Sequence, residues 1–153
     1  MTSTDKATAA SPALSDFLCF AVYSANLAFG KAYKPILEQL GLTYPQYITI
    51  VALWEEDNVT VGRLGEKLFL ESNTLTPILK KLEAMSFLER HRDTVDERLV
   101  RIRLTRSGRS LREKQLEMCL SDATGLTPDG FAQLRKAIAT LRDNLIQSTR
   151  AGE

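Results

Sequence analysis

Cysteine and histidine are scarce in this sequence, and net charge is nearly absent. Two cysteines occur in 153 residues, Cys19 and Cys119, a hundred positions apart. Such a pair forms no CxxC zinc or thioredoxin pattern and does not build the disulfide framework of a small secreted domain. A single histidine, His91, falls short of the usual zinc ligand sets, so neither a metal nor another cofactor is expected. No apolar run approaches the roughly 18–20 residues that span a bilayer; runs such as FLCFAV at 17–22 are short. The first twelve residues, MTSTDKATAASP, are small and polar, with no apolar stretch behind a basic start. They read as a flexible arm over 1–12 and not as a secretory signal. A cytoplasmic protein without membrane contact is the expectation.

What is present is enough apolar residue, 44%, for one domain over 13–153 with a core that needs no covalent staple. The net charge of +1 conceals an uneven distribution: between Lys80 and Lys114 eleven cations stand against six anions. On composition alone a solvated face with ordinary ion pairs explains such a run equally well. Its placement along the chain is what points to nucleic acid.

Apolar residues at three- and four-residue spacing (Leu14, Phe17, Leu18, Ala21, Val22, Ala25) predict an amphipathic helix over 13–30, and a second short helix over 32–40 should end at Gly41. Thr43, Pro45 and Gln46 form a helix start with a capping box, and that helix runs to about Glu56 with Trp54 in the core. Asp57-Asn58 breaks it. Thr60 caps a helix of about ten residues carrying Val61, Leu64 and Leu68, and Leu70-Glu71-Ser72 makes a turn with Ser72 as N-cap. The helix that follows, 74–85, places Leu75, Ile78, Leu79 and Leu82 on one side. Short segments at 87–92 and 99–104 around the polar Asp93–Glu97, the second with Leu99, Arg101 and Arg103 alternating with Val100, Ile102 and Leu104, predict a β-hairpin. Thr105 caps a helix to about Leu120, and Thr127-Pro128-Asp129 starts the last helix. In that last helix Phe131, Leu134, Ile138, Leu141 and Leu145 repeat at 3, 4, 3 and 4, the seam of a helix that packs along another. Helices at both ends of a compact middle are hard to bury in a monomer of this size, so a homodimer is expected.

The class is therefore mainly α with a small β-hairpin, a winged helix-turn-helix. In this order of elements the second helix of the pair can enter a major groove while the hairpin reaches a neighbouring minor groove. Ser72, Asn73, Thr74 and Thr76 offer hydroxyl and amide groups at a helix start, and Lys80 and Lys81 add phosphate attraction. Arg98, near the hairpin tip, suits a narrow minor groove, with Asp96 to orient it. Each of these residues taken singly also has a plain structural reading; the ordered set carries the argument. His91, among Arg90 and Arg92, reads as a phosphate contact or an exposed side chain. A lone cysteine on an amphipathic helix is commonly an inert hydrophobe, yet Tyr23 and Asn26 lie at i+4 and i+7 from Cys19, setting a phenol and an amide beside the thiol.

TYPQY at 43–47, LESNTLTPILKKLE at 70–83 and DER with LVRIRLTRSG at 96–108 resemble the MarR family of transcriptional regulators. LCFAVY at 18–23, AYKPILEQLGLTYPQY at 32–47 and LFLESNTLTP at 68–77 are similar, more narrowly, to its organic-hydroperoxide-sensing (OhrR-like) group, over about residues 14–147. The resemblance implies a triangular dimer made by terminal helices at about 13–40 and 105–149, a DNA-binding lobe at about 43–104, and Thr74, Thr76, Lys80 and Arg98 on a pseudo-palindromic operator. It implies that Tyr33 and Tyr44, reaching across the dimer interface, hydrogen-bond Cys19, with Tyr23 a weaker member of the set. Oxidation of Cys19 by an organic hydroperoxide would then release the DNA. Cys119 is the candidate resolving thiol, although the second cysteine of the group falls closer to 122–126; a small cellular thiol is the other candidate. Glu71 and Asn73 stand where the group more commonly has aspartate and glycine. Two alternatives stay open: a repressor that answers to a small aromatic ligand, and a thiol peroxidase, for which the sequence shows no recycling motif.

Overall fold

A computed structural model describes residues 10–114 and 120–152. The chain divides after Leu116 into two compact units. The first unit opens with a single 3-10 turn, Leu14–Asp16, in which the Asp16 carboxylate accepts the Ala13 N–H at 2.9 Å. Helix α1 follows as one element, Leu18–Leu40, where two helices were expected. Gly30 and Pro35 weaken it, the glycine by about 1 kcal/mol relative to alanine, but neither ends it. The apolar spacing runs on through Phe29, Tyr33, Ile36, Leu37 and Leu40, and packing of a continuous stripe outweighs local propensity. The helix does stop at Gly41, whose φ of 67° belongs to the left-handed region. Gly41 N–H bonds to Glu38 and Leu42 N–H to Leu37, a Schellman closure with Leu37 and Leu42 both buried.

Helix α2, Tyr44–Glu55, begins with the reciprocal capping box read from the sequence: Thr43 N–H donates to Gln46 Oε1 at 3.0 Å and Gln46 N–H to Thr43 Oγ1 at 3.4 Å. Asn58, at φ 55°, turns the chain into a two-residue strand β1, Val59–Thr60, and Thr60 caps helix α3, Val61–Leu68. Helix α4 spans Ser72–Ala84. Its N-cap is Glu71, so the expected cap at Ser72 is corrected: the backbone turns extended one residue earlier, and the Ser72 carbonyl instead accepts the Thr76 hydroxyl at 2.7 Å. Strands β2, Leu88–Arg92, and β3, Val100–Leu104, form the expected hairpin. The sheet has a third member, because β1 pairs with β3, Val59 opposite Ile102, giving the order β1-β3-β2. Two residues carry no alternation that a sequence pattern could reveal.

Ile50, Leu53, Leu64, Leu75, Leu79, Leu82, Leu88 and Ile102 are fully buried where α2, α3, α4 and the sheet meet. At about 1.5–3 kcal/mol for each such side chain, this cluster holds α4 and the hairpin to one scaffold. Trp54 packs against it, half-buried, and its Nε1–H donates to the Gly108 carbonyl at 3.0 Å. Thr105 caps α5, Arg106–Ser110, which passes into a 3-10 turn, Leu111–Lys114. The rest of the helix expected to reach Leu120 crosses residues outside the described set. In the second unit, helix α6 spans Pro128–Arg150, capped by Thr127 with Pro128 first, as its sequence predicts. None of its side chains is buried, and Leu134, Ile138 and Leu145 of its 3-4 seam are exposed. No helix among the described residues is long and apolar enough to cross a membrane.

Candidate nucleic-acid interface and thiol environment

Helix α4 buries Leu75, Leu79 and Leu82 and turns the opposite face outward. Ser72, Asn73, Thr74, Lys80 and Lys81 are exposed there, and Thr76 is half-buried. Asn73, Thr76 and Lys80 follow one another at helical spacing on that outer face. The Thr76 proton is already engaged by the Ser72 carbonyl, which leaves its oxygen as an acceptor and its methyl group for contact. Lys80 and Lys81 stand in no ion pair among the described residues and remain open to phosphate.

Beyond α4 the hairpin projects as a wing, and its tip is organised from within. Asp93 is buried and accepts the N–H groups of Val95 at 2.7 Å and Asp96 at 2.9 Å, as well as the Arg101 Nε–H. The Arg101 bond above all, and then those two N–H groups, hold the Asp93 carboxyl down at about 2. Arg101 also donates to the Asn58 carbonyl at 2.7 Å, tying the wing to the loop before α3. At the tip the Asp96 carboxylate receives Arg98 through Nε and Nη2, both at 3.0 Å, and through its backbone N–H at 3.1 Å. The guanidinium beside it keeps the Asp96 carboxyl below the usual carboxylate range. The Arg98 side chain is 89% exposed, so it is aimed by Asp96 and presented outward.

The basic run has a different character in three dimensions than in one. Arg90 pairs with Glu83, Arg98 with Asp96, Arg101 with Asp93, Arg103 with Glu89 and Arg109 with Asp57. Five arginines thus brace the wing and its roots, and the outward attraction for phosphate is narrower than the charge excess suggests. His91 is corrected as well: it is half-buried, and its Nδ1 is enclosed without a partner among the described residues, not plainly exposed. Two glycines prove structural. A Cβ at Gly108 would lie 2.1 Å from the Phe87 carbonyl oxygen, and one at Gly65 would lie 2.7 Å from that of Leu70. Gly108 thereby lets α5 seat against the root of the wing, where the Thr105 hydroxyl donates to the Ser86 carbonyl at 2.6 Å. The LTRSG segment was noticed in the sequence, but its close backbone approach was not readable there.

Cys19 is the second residue of α1, exposed and unbonded to another sulfur. Tyr23, one turn on, is 60% exposed, with its ring 6.5 Å from Phe20. Tyr33 and Tyr44 come together, their rings 5.2 Å apart, and Phe29 stacks on Tyr33 at 6.3 Å. Cys19 and Tyr33 share one helix fourteen residues apart, about 21 Å at 1.5 Å per residue, so a single chain does not bring the thiol to this tyrosine pair. Cys119 lies outside the described residues. No group of three or more histidine, cysteine or acidic side chains able to hold a metal occurs among the described residues.

A helix with an outward polar face, set by a common core beside an arginine-tipped wing, defines a DNA-binding winged-helix protein. A family model described as Transcriptional regulator SarA/Rot matches residues 31–115. The HTH-type transcriptional regulator TtmR of Methylorubrum extorquens is 47% identical over 137 residues, which cover 88% of this chain and 69% of that protein. The organic hydroperoxide resistance transcriptional regulator of Bacillus subtilis is 40% identical over 139 residues, covering 88% and 92%. Among solved structures, reduced AbfR of Staphylococcus epidermidis bound to DNA superposes with a TM-score of 0.75 at 33% identity, covering 88% of this chain and 93% of that one. The chain belongs to the SarA/Rot-type transcriptional regulators of the MarR winged-helix family. It is a DNA-binding regulator and not an enzyme.

Proposed function

We propose that the chain is a homodimeric repressor whose operator is read by α4 and the β2–β3 wing and whose release is triggered when an organic hydroperoxide oxidises Cys19. The observation that carries the reading is the position of Cys19, exposed on α1 beside the exposed apolar side chains of Leu18, Val22 and Tyr23, with Phe17 exposed just before the helix. These side chains supply apolar walls to an organic peroxide. The similarity to a regulator named for organic hydroperoxide resistance supports the same chemistry. The Tyr33–Tyr44 pair lies too far along α1 to serve the thiol of its own chain, so in this reading it serves the Cys19 of the second copy. The dimer is assigned to the segments at about 13–40 and 105–149, and the DNA-binding lobe to about 43–104.

The chemistry is a displacement. The Cys19 thiolate attacks the distal peroxide oxygen, the O–O bond breaks, and the alkoxide leaves and is protonated to the alcohol. Sulfur is oxidised to the sulfenic acid. A second thiol, from Cys119 or a small cellular thiol, then forms the disulfide with loss of water. A polar or disulfide-bonded sulfur no longer fits the contacts of the reduced one, and a shift of the dimer helices changes the separation of the two α4 helices. A palindromic site of fixed half-site spacing then no longer fits both. On the DNA, Ser72, Asn73, Thr74 and Thr76 face phosphates and base edges, Lys80 and Lys81 face phosphates, and Arg98, aimed by Asp96, enters the minor groove.

The test begins with a duplex recovered by the purified protein from a random-sequence library. Its binding is then measured with and without cumene hydroperoxide, again after reductant, and for Cys19→Ser. The expected result is binding that is lost on peroxide and restored by reductant, with Cys19→Ser bound throughout. Wild-type binding that ignores peroxide would leave a regulator with another signal, and failure to recover any duplex at low salt would remove the DNA assignment of these residues.

A further inference from the structure

Glu83 lies in the last turn of α4, and Arg90 stands in the middle of β2. The two meet through three hydrogen bonds: Oε2 accepts the Arg90 backbone N–H at 3.0 Å and its Nε–H at 3.1 Å, and Oε1 accepts Nη2–H at 3.1 Å. The backbone bond has a particular meaning in this sheet. Thr105 N–H bonds to the Phe87 carbonyl and Asp93 N–H to that of Leu99, so in the alternating antiparallel ladder the odd-numbered residues of β2 face β3. Arg90 N–H therefore points off the open edge of the sheet, and the carboxylate of the preceding helix takes the place of a missing strand. The link between the two elements is equally short. Ser86 turns at φ 64°, and the N–H groups of Ser86 and Phe87 bond back to Glu83 and Leu82.

From this arrangement we infer that Glu83 is a positioning residue for DNA recognition: its three-point grip on Arg90 fixes the angle between the reading helix and the wing, and so the distance between their two groove contacts. The inference rests on the proposed assignment of α4 and the wing to DNA. A bidentate fork plus a main-chain bond constrains direction as well as distance, which a single lysine–carboxylate contact does not. Both side chains are partly shielded, at 38% and 30% exposure, so the grip is less screened than an open surface pair. Because Arg90 is held by Glu83 from within, it acts through geometry and not as a phosphate ligand. The ion pair also blunts the open edge of β2, which would otherwise present an unpaired N–H to another chain.

The experiment uses the full chain and the duplex recovered from the random library. Guanine methylation interference reports the major-groove contacts of α4, and hydroxyl-radical footprinting reports minor-groove protection by the wing. Glu83→Ala is expected to keep the central interference pattern, lose the flanking protection and bind about tenfold more weakly. Glu83→Gln, which keeps one acceptor for the Arg90 N–H but sets an NH2 donor where the second carboxylate oxygen met Nη2, should keep the central pattern and show flanking protection between that of wild type and that of Glu83→Ala. Arg90→Lys, which keeps the charge but not the fork, should behave as Glu83→Ala does, and it carries the test if Glu83→Ala does not fold. Flanking protection equal to wild type in Glu83→Ala or in Arg90→Lys overturns the inference, as does a uniform loss of central and flanking contacts. Wild type without any flanking protection overturns the groove assignment on which the inference stands.

Discussion

Asp93 turns a flexible loop into a fixed tip. Its carboxylate is held down at about 2 by Arg101 and by the N–H groups of Asp96 and Val95, against an ordinary value near 3.8. A depressed carboxyl stabilises the folded state at pH above about 4, and that contribution fades as the pH falls from about 4 towards 2. Asp93→Asn is therefore expected to lower the Tm at pH 7, and the gap to wild type should narrow as thermal unfolding is repeated from pH 4 downward. A gap that stays constant would point away from the ionised carboxylate as the cause. At this scale much was legible: Arg98 and Asp96 were singled out by type and spacing, and they lie in contact. Glu83 and Arg90 were not, since seven residues across a helix-to-strand turn produce no periodic signal. The inward direction of Arg101 and the enclosure of His91 depend on which face of the wing each occupies, and that is set by strand pairing.

Elements were legible where a cap or a period names them. Thr43, Thr60, Thr105 and Thr127 each accept a backbone N–H at a helix start, and Gly41 ends α1. Errors arose where distant packing decides: α1 runs through Gly30 and Pro35 because its stripe continues, β1 exists only because β3 lies beside it, and α4 starts at Ser72 because the extended residue is Glu71. Gly108 is the sharpest case of one element requiring another. Gly108→Ala would drive a methyl group into the Phe87 carbonyl, a fixed backbone atom. A loss of about 1–3 kcal/mol is expected from overpacking, read as a lower midpoint in urea with an unchanged slope. An unaltered midpoint would mean that α5 can shift away without cost.

At the scale of the whole molecule, exposed apolar residues recur on both long helices. Phe17 stands just before α1, Leu18, Val22, Tyr23 and Leu27 lie on it, and Leu134, Ile138 and Leu145 lie on α6. Exposed stripes of this kind mark association surfaces, which supports the homodimer in the proposed function. Sedimentation is expected at twice the 17.1 kDa of one chain, and Leu134→Glu combined with Ile138→Glu should shift the species to monomer mass and weaken binding to the palindromic duplex. A wild-type monomer that still binds that duplex would contradict it. The sequence signalled these stripes through their 3-4 spacing. What it could not signal is that, besides Arg98 with its neighbour Asp96, Arg90, Arg101, Arg103 and Arg109 of the basic run would each turn to a carboxylate seven or more residues away.

Trp54 is the single tryptophan of the chain, and its indole N–H rests on the Gly108 carbonyl in the middle of α5. The chain thus contains an optical gauge at the joint between the core that carries α4 and the wing and the helix that leaves it. Emission from that one fluorophore will redden if α5 lifts from the wing root and water reaches the indole, so the timing of such a movement after an oxidant is added can be followed without attaching any dye.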